Sequence, residues 1–166
     1  MPPTVPPPRA RALIQLLGLA PHPEGGWYRE LHRSPLAVQP DDGRTARCAL
    51  TSIDFVLCAG EYSAWHQVRS DEAWHLLEGQ GLVLWLLPPT LDRIERVVLG
   101  PVAAGSAPRC VVPAGWWQAA EPLGEFAYVG ATVGPGFEFA DFAFGRDDPA
   151  FTDAVAAQNP DLARLL

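Results

Sequence analysis

A histidine and a glutamate near the middle of the chain are spaced so that they could work together as an acid–base pair. His66 and Glu72 lie between Gly60 and Gly79. A histidine on one strand and a glutamate on the next can converge inside a β-barrel, where ligands commonly bind. A carboxylate beside an imidazole favours the charged imidazolium and fixes its tautomer, as a general acid or base requires. We therefore predict that both residues are catalytic.

The residues around this pair follow the alternation of side chains along a β-strand. If His66 faces the inside of a barrel, Tyr62 faces the inside too. If Glu72 faces inward, so does Trp74, and His75 points away unless a bulge re-aims it. We predict ligand contacts for Tyr62 and Trp74, and for His75 if such a bulge is present.

A later turn and an early strand supply further candidates. The sequence Pro113-Ala114-Gly115 is a turn that lets a side chain arrive from a later hairpin, and Gln118 follows it. Trp116 shares a face with Gln118 and is the best candidate for a wall on which a ligand stacks. Tyr28 and Glu30 share one face of an early strand. We predict that these four side chains bind the ligand.

The elements that must position these residues are short strands. The chain has 166 residues, of which 15 are glycine and 18 are proline. This high content of turn-forming residues suits short strands and tight turns better than long helices. Strands are predicted at a spacing typical of a β-sandwich or barrel, with one helix before them and one after. The predicted helices are 9–19 and 150–166, and the predicted strands are 27–33, 49–58, 73–77, 82–87, 94–99, 109–112 and 126–133.

Composition excludes several classes of function. The net charge is −7, so the chain lacks the basic face that a nucleic-acid binder needs, and an anionic membrane is disfavoured as a partner. All 12 basic residues are arginine, which excludes Schiff-base lysines and Walker-type phosphate loops. Three cysteines at wide spacing form no disulfide framework. With no signal peptide recognised, we expect a cytoplasmic protein. Residues 1–8 are predicted to be a flexible proline-rich tail, and residues 9–166 a single domain.

The central segment resembles the first motif of the cupin superfamily. Gly60, His66, Glu72 and Gly79 match that motif in type and spacing, and Pro113 and Gly115 match part of the second motif. A closer resemblance, to the cupin family 5 branch, spans most of the chain. It is carried by the blocks 21–30, 63–66, 70–75, 112–120 and 132–139.

The resemblance implies an all-β, double-stranded β-helix jelly-roll barrel, similar to the dTDP-sugar epimerases, and a homodimer. Metal-dependent cupins bind their ion through residues at the positions of His66, Val68, Glu72 and Gln118. Because Val68 and Gln118 replace two histidines, the chain is expected to bind a divalent metal weakly through His66, Glu72 and Gln118, or to hold a hydrogen-bonded His–Glu pair without metal. No other cofactor is implied.

Three functions remain open from the sequence. The first is a small organic molecule bound inside the barrel, with isomerase-like or epimerase-like proton transfer. The second is a metal-dependent oxygenase, isomerase or lyase. The third is a ligand-binding or sensing module without catalysis.

Overall fold

Two antiparallel β-sheets face each other in the computed structural model, which describes residues 5–166. The six-stranded sheet has the order β1-β2-β5-β12-β7-β10, and the five-stranded sheet has the order β13-β6-β11-β8-β9. A small two-stranded sheet pairs β3 with β4. The strands are β1 (Ala20–Pro21), β2 (Trp27–Arg33), β3 (Ala37–Val38), β4 (Arg47–Cys48), β5 (Thr51–Cys58), β6 (Ser63–Val68), β7 (Asp71–Gly79), β8 (Leu82–Leu87), β9 (Glu95–Leu99), β10 (Arg109–Val112), β11 (Trp117–Pro122), β12 (Phe126–Gly134) and β13 (Phe142–Phe144).

The predicted all-β jelly-roll is confirmed, and β2, β8 and β10 begin and end as predicted. No bounds were predicted for strands β6 and β11, although His66 was expected to lie on a strand. Both are buried along nearly their whole length, so they lack the alternation that marks a strand with one solvated face. The reason is that a helix covers the outer face of the sheet to which they belong.

Two helices cover the outer faces of the barrel. The N-terminal helix, α1 (Pro8–Leu17), packs Ala10 and Leu13 against the six-stranded sheet and ends at Gly18 in the left-handed conformation. The single C-terminal helix predicted over 150–166 is instead divided into α2 (Pro149–Gln158) and a 3₁₀ segment (Pro160–Leu165). A proline at position 160 cannot continue the α-helix, which explains the division.

The core follows from the alternation along β6 and β7. Trp74 is buried between the two sheets with Phe55 and Leu84. Trp65 points the other way and packs beneath α2, where its indole N–H donates to the Leu162 carbonyl oxygen at 3.1 Å. Because Trp65 points outward, the next residue on β6, His66, points into the barrel.

Strand β2 is an edge strand over only part of its length. β1 pairs with Trp27 and Tyr28, whereas β5 borders the whole strand on its other side. Of the predicted tail, residues 1–4 lie outside the described residues. No helix within residues 5–166 is long and apolar enough to cross a membrane.

Candidate functional site

A cavity of about 300 Å³ lies between the sheets, at the end where β5 and β7 begin and β12 ends. Its inner wall holds His66 and Glu72, both nearly inaccessible to solvent, together with Val68. His66 and Glu72 belong to consecutive strands but to opposite sheets, so they face each other across the barrel. They are not on paired strands; the link between β6 and β7 crosses from one sheet to the other.

The mouth of the cavity is ringed by exposed charges and one aromatic side chain. The Arg33 guanidinium donates to both carboxylate oxygens of Glu30, at 3.1 and 2.9 Å, and to Glu138 at 2.9 Å. Phe139 is 62% exposed beside them. Charges surround the entrance, whereas the interior is mainly hydrocarbon and aromatic.

Glu24 reaches the inside of the barrel because of a tight turn before β2. The backbone N–H of Ala64 donates to the Glu24 carbonyl oxygen at 2.8 Å, which pins the turn against β6. At Gly25, φ is +113°, and a Cβ atom there would lie 2.0 Å from the Tyr62 carbonyl oxygen. Only glycine allows this approach. The Glu24 carboxyl then accepts from the Ser63 hydroxyl at 2.9 Å and lies 3.3 Å from His66 Nδ1.

The tautomer of His66 is set by the backbone. Nδ1 lies 2.7 Å from the Ala64 carbonyl oxygen, which can only accept, so the neutral ring carries its proton on Nδ1. Nε2 has no hydrogen-bond partner among the described residues and is left as an acceptor. Phe142 stacks on the ring with centroids 5.4 Å apart. His66 is therefore oriented as a base.

His22 adds a second imidazole, with the opposite tautomer. The backbone N–H of Glu24 donates to His22 Nδ1 at 3.2 Å, so the proton of the neutral ring is on Nε2. The ring packs edge-on against Tyr28 and Phe55, with centroids 4.3 and 5.7 Å apart. Burial and the nearby His66 lower the pKa of His22 to about 4.

Glu72 is held by a contact between the two sheets. Gln118 Nε2 donates to Glu72 Oε2 at 2.6 Å, and Gln118 Oε1 accepts from the Trp74 indole N–H at 3.0 Å. The backbone upstream of Gln118 is fixed by the predicted 113–115 turn, where the Gly115 N–H donates to the Val68 carbonyl oxygen at 2.8 Å.

Burial favours the uncharged form of the three inner groups Glu24, Glu72 and His66. It raises the pKa of Glu24 to about 8 and that of Glu72 to about 7. It also lowers the pKa of His66, and this effect exceeds the opposite effect of Glu72. Glu72 favours the imidazolium, as expected, but desolvation of the buried ring outweighs this attraction, so the pKa of His66 is lowered overall.

A short segment after β12 supplies the aromatic wall formed by Phe137, Phe139 and Phe142. It is anchored by the buried Asp141 carboxylate, which accepts from the guanidinium groups of Arg44 and Arg47 at 2.9 Å. These arginines hold the pKa of Asp141 below its ordinary value. The segment is thus fixed at its far end, next to the ring that stacks on His66.

The predicted site residues divide between the cavity and its surroundings. Four of them line the cavity: His66, Glu72, Tyr28 and Glu30. Gln118 and Trp74 lie behind Glu72 as its support and do not line the cavity. Trp116 packs at the margin of the core between the sheets, and Tyr62 lines a separate shallow pocket beside Arg146. His75 is half-buried on β7 and does not line the cavity either.

A metal centre does not fit the residues that the structure brings together. The amide of Gln118 uses its oxygen for Trp74 and its nitrogen for Glu72, and Val68 offers only hydrocarbon. Within residues 5–166, no three His, Cys, Asp or Glu side chains form a group that could hold a metal ion. His66 and Glu72 alone are too few ligands for a stable site.

Sequence reasoning missed Glu24 and His22 as site residues. Both stand in the segment 21–26, whose prolines and glycines predict a turn. The signal that could have identified them is a carboxylate and an imidazole placed directly before a pair of glycines, since such glycines permit close approach of the backbone to another strand.

Comparisons with known proteins agree with this architecture. The family model described as Cupin superfamily (DUF985) matches residues 11–145. A protein of Shewanella oneidensis has a solved structure with 32% identity and a TM-score of 0.78, covering 94% of this chain and 93% of that one. A hypothetical protein from Leishmania major has 28% identity and a TM-score of 0.78, covering 94% and 95%.

A more distant structure shares the fold alone. The capsular polysaccharide assembling protein CapF of Staphylococcus aureus has 16% identity and a TM-score of 0.55, covering 76% of this chain and 31% of that one. No protein with a curated description matches the chain.

Proposed function

The chain belongs to the cupin superfamily, in the family DUF985, and from that premise we propose that it binds a small uncharged organic molecule in the barrel and catalyses proton transfer on it. One observation carries the proposal: an unprotonated imidazole nitrogen and a carboxyl group with a pKa near neutrality face one cavity from opposite sheets. An acid and a base are most effective when their pKa values lie near the working pH.

The proposed roles follow from the hydrogen bonds. His66 Nε2 removes a proton from a carbon next to a carbonyl group, while Glu72 gives its proton to the carbonyl oxygen. The neutral His–Glu pair becomes an imidazolium–carboxylate pair, and the substrate becomes a neutral enediol. Return of the two protons to other positions gives an isomer or epimer, so atoms and charge balance.

The surroundings of the pair favour this chemistry. The Ala64 carbonyl oxygen and Glu24 both lie next to Nδ1 of His66. The Ala64 carbonyl oxygen accepts from Nδ1–H and so stabilises the positive charge that develops on the ring when Nε2 takes a proton. Hydrocarbon and phenyl groups line the cavity around the pair and lower the local polarity, which strengthens the electrostatic effect.

The substrate class is an uncharged hydroxycarbonyl compound. An anionic substrate would oppose the ionisation of Glu72 that proton transfer requires. The cavity of about 300 Å³ is at the small end of the range for ligand pockets. The cupin fold by itself does not specify an activity. A ligand-binding module without catalysis is the second candidate, favoured by the mainly apolar lining of the cavity.

Hydrogen exchange tests the proposal. The untagged protein is incubated in D₂O with dihydroxyacetone, glyceraldehyde and small ketoses, and loss of the proton next to the carbonyl is followed by ¹H NMR. Exchange that disappears in His66→Gln and Glu72→Gln supports catalysis. Saturation-transfer binding without exchange supports the second candidate, and neither exchange nor binding contradicts the assigned substrate class.

A further inference from the structure

We propose that Gln118 is a positioning residue that keeps the acidic proton of Glu72 on the oxygen facing the cavity. Gln118 is buried on β11 of the five-stranded sheet, whereas Glu72 and Trp74 lie on β7 of the opposite sheet. Its amide bonds to both of them and does not line the cavity. A role of Gln118 in catalysis rests on the proposed function. Its hydrogen bonds to Glu72 and Trp74 do not depend on that function.

Trp74 fixes which way the amide points. An indole N–H can only donate, so the atom of Gln118 that faces it at 3.0 Å must be the amide oxygen. The NH₂ group is then turned toward Glu72, at 2.6 Å from Oε2. The alternative orientation would set two donors against each other at Trp74.

The orientation of the amide decides where Glu72 can carry its proton. Oε2 accepts an N–H and points at a donor, so a proton on Oε2 would clash with the NH₂ group. Oε1 makes no hydrogen bond with the described residues. Every buried side-chain nitrogen or oxygen among these residues has a hydrogen-bond partner, so Oε1 must be accessible, and Glu72 lines the cavity. The acidic proton is therefore on Oε1.

The position of this proton matters because only the carboxyl oxygen that faces the cavity can give a proton to a bound molecule. A carboxyl group that could protonate on either oxygen would spend part of its time with the proton directed into the wall. Gln118 removes that alternative and also stabilises the carboxylate that remains after proton transfer. Gln118 lies three residues after Gly115, the last residue of the 113–115 turn.

The test measures Glu72 directly and needs no ligand. The ¹³C signal of the Glu72 carboxyl, assigned with Glu72→Gln, is titrated by NMR in the wild type and in Gln118→Met. Loss of a hydrogen bond to the charged form is expected to raise the pKa of Glu72 by about one unit or more. An unchanged pKa in folded Gln118→Met would overturn the proposal, because a residue that only fills space does not affect this titration.

A second variant covers the case in which Gln118→Met does not fold. Trp74→Phe keeps the glutamine and removes only the indole donor, so the amide can rotate and accept a proton from Glu72. The pKa of Glu72 is again expected to rise, and no change would contradict the proposal. Gln158→Met is the matched control: Gln158 lies at the end of α2 and donates to the Leu91 carbonyl oxygen, away from the 113–115 turn and the cavity, so its loss should leave Glu72 unaffected.

The titration also separates this inference from the proposed function. A shifted pKa in Gln118→Met together with no hydrogen exchange on any hydroxycarbonyl compound would retain the positioning role and reject the substrate class. Hydrogen exchange on a hydroxycarbonyl compound together with an unshifted pKa of Glu72 in Gln118→Met would retain the substrate class and reject the positioning role.

Discussion

The Glu24 carboxyl lies 3.3 Å from Nδ1 of His66 and joins the turn before β2 to the inner face of β6. This contact occupies the side of the imidazole that faces the protein wall. Phe142 covers the ring face, so Nε2 is the atom of His66 left for a ligand. The site is thus assembled from three distant parts of the sequence.

The free energy of unfolding is expected to fall as the pH rises from about 6.5 to 8. In the unfolded chain Glu24 loses its proton near its ordinary pKa of 4.5, whereas the folded protein retains it up to about 8. The unfolded state therefore binds fewer protons in this window, which lowers stability as the pH rises. His22 has the opposite effect, but only between its folded pKa of about 4 and its ordinary value of 6.5.

Urea unfolding across this range measures the effect, with an expected loss of about 1–2 kcal/mol. Glu24→Gln should flatten the profile to the smaller part contributed by Glu72. Glu78→Gln is the control: the Arg9 guanidinium lowers the pKa of Glu78, so it does not titrate in this window. A wild-type profile that is flat or rising from pH 6.5 to 8 would show that Glu24 is ionised in the fold.

The cavity should accept added side-chain volume where the core does not. Ala131 and Ala127 are both buried on β12, but Ala131 lines the cavity and Ala127 packs in the core between the sheets. Ala131→Leu is expected to change the free energy of unfolding by less than about 1 kcal/mol, whereas Ala127→Leu should lose about 1–3 kcal/mol through overpacking. Equal losses in the two variants would mean that the cavity is closed in solution.

Divalent metals are expected to bind the wild type only weakly, since His66 and Glu72 are the available ligands. Val68 lines the same cavity, so Val68→His adds an imidazole at the position where metal-dependent cupins have a ligand. Titration calorimetry with Zn²⁺ and Mn²⁺ on untagged protein should show an increase in affinity of at least about tenfold in Val68→His. If the wild type binds one ion tightly and His66→Gln loses that binding, His66 and Glu72 cannot be the only ligands that the cavity offers.

We expect the protein to be a homodimer, with β2 as an edge that a second copy could cover. Leu31 on β2 is 56% exposed, and β1 covers only the first two residues of this strand. Light scattering should give about 36 kDa, twice the chain mass of 18.0 kDa. Leu31→Asp should shift the mass toward the monomer, whereas Leu16→Asp on α1, which is 77% exposed, should not. A wild-type mass near 18 kDa at micromolar concentration would contradict the dimer.

Alternation along the strands predicted which residues point inward, but not how deep they lie. Glu72 and Trp74 share a face of β7, as expected, yet Glu72 lines the cavity and Trp74 lies in the core beyond it. Depth along the barrel depends on how the two sheets are offset, and the pattern of one strand does not contain that information. Trp116 failed to reach the cavity for the same reason.

The contribution of Glu24 could not be predicted from local pattern either. Its place in the site depends on a long-range backbone bond to Ala64 and on the close approach of Gly25 to Tyr62. Likewise, the charge state of His66 depends on burial that only the folded barrel provides. The spacing in the sequence identified His66 and Glu72 as a pair, whereas their protonation states depend on burial in the folded barrel.

The proposed acid–base chemistry depends most directly on the protonation state of His66 at neutral pH. ¹⁵N NMR of the imidazole, assigned with His66→Gln, reports that state without a ligand. We predict a neutral ring at pH 7 with its proton on Nδ1 and an unprotonated Nε2. An imidazolium at pH 7, or a neutral ring with its proton on Nε2, would contradict the role of His66 as the base.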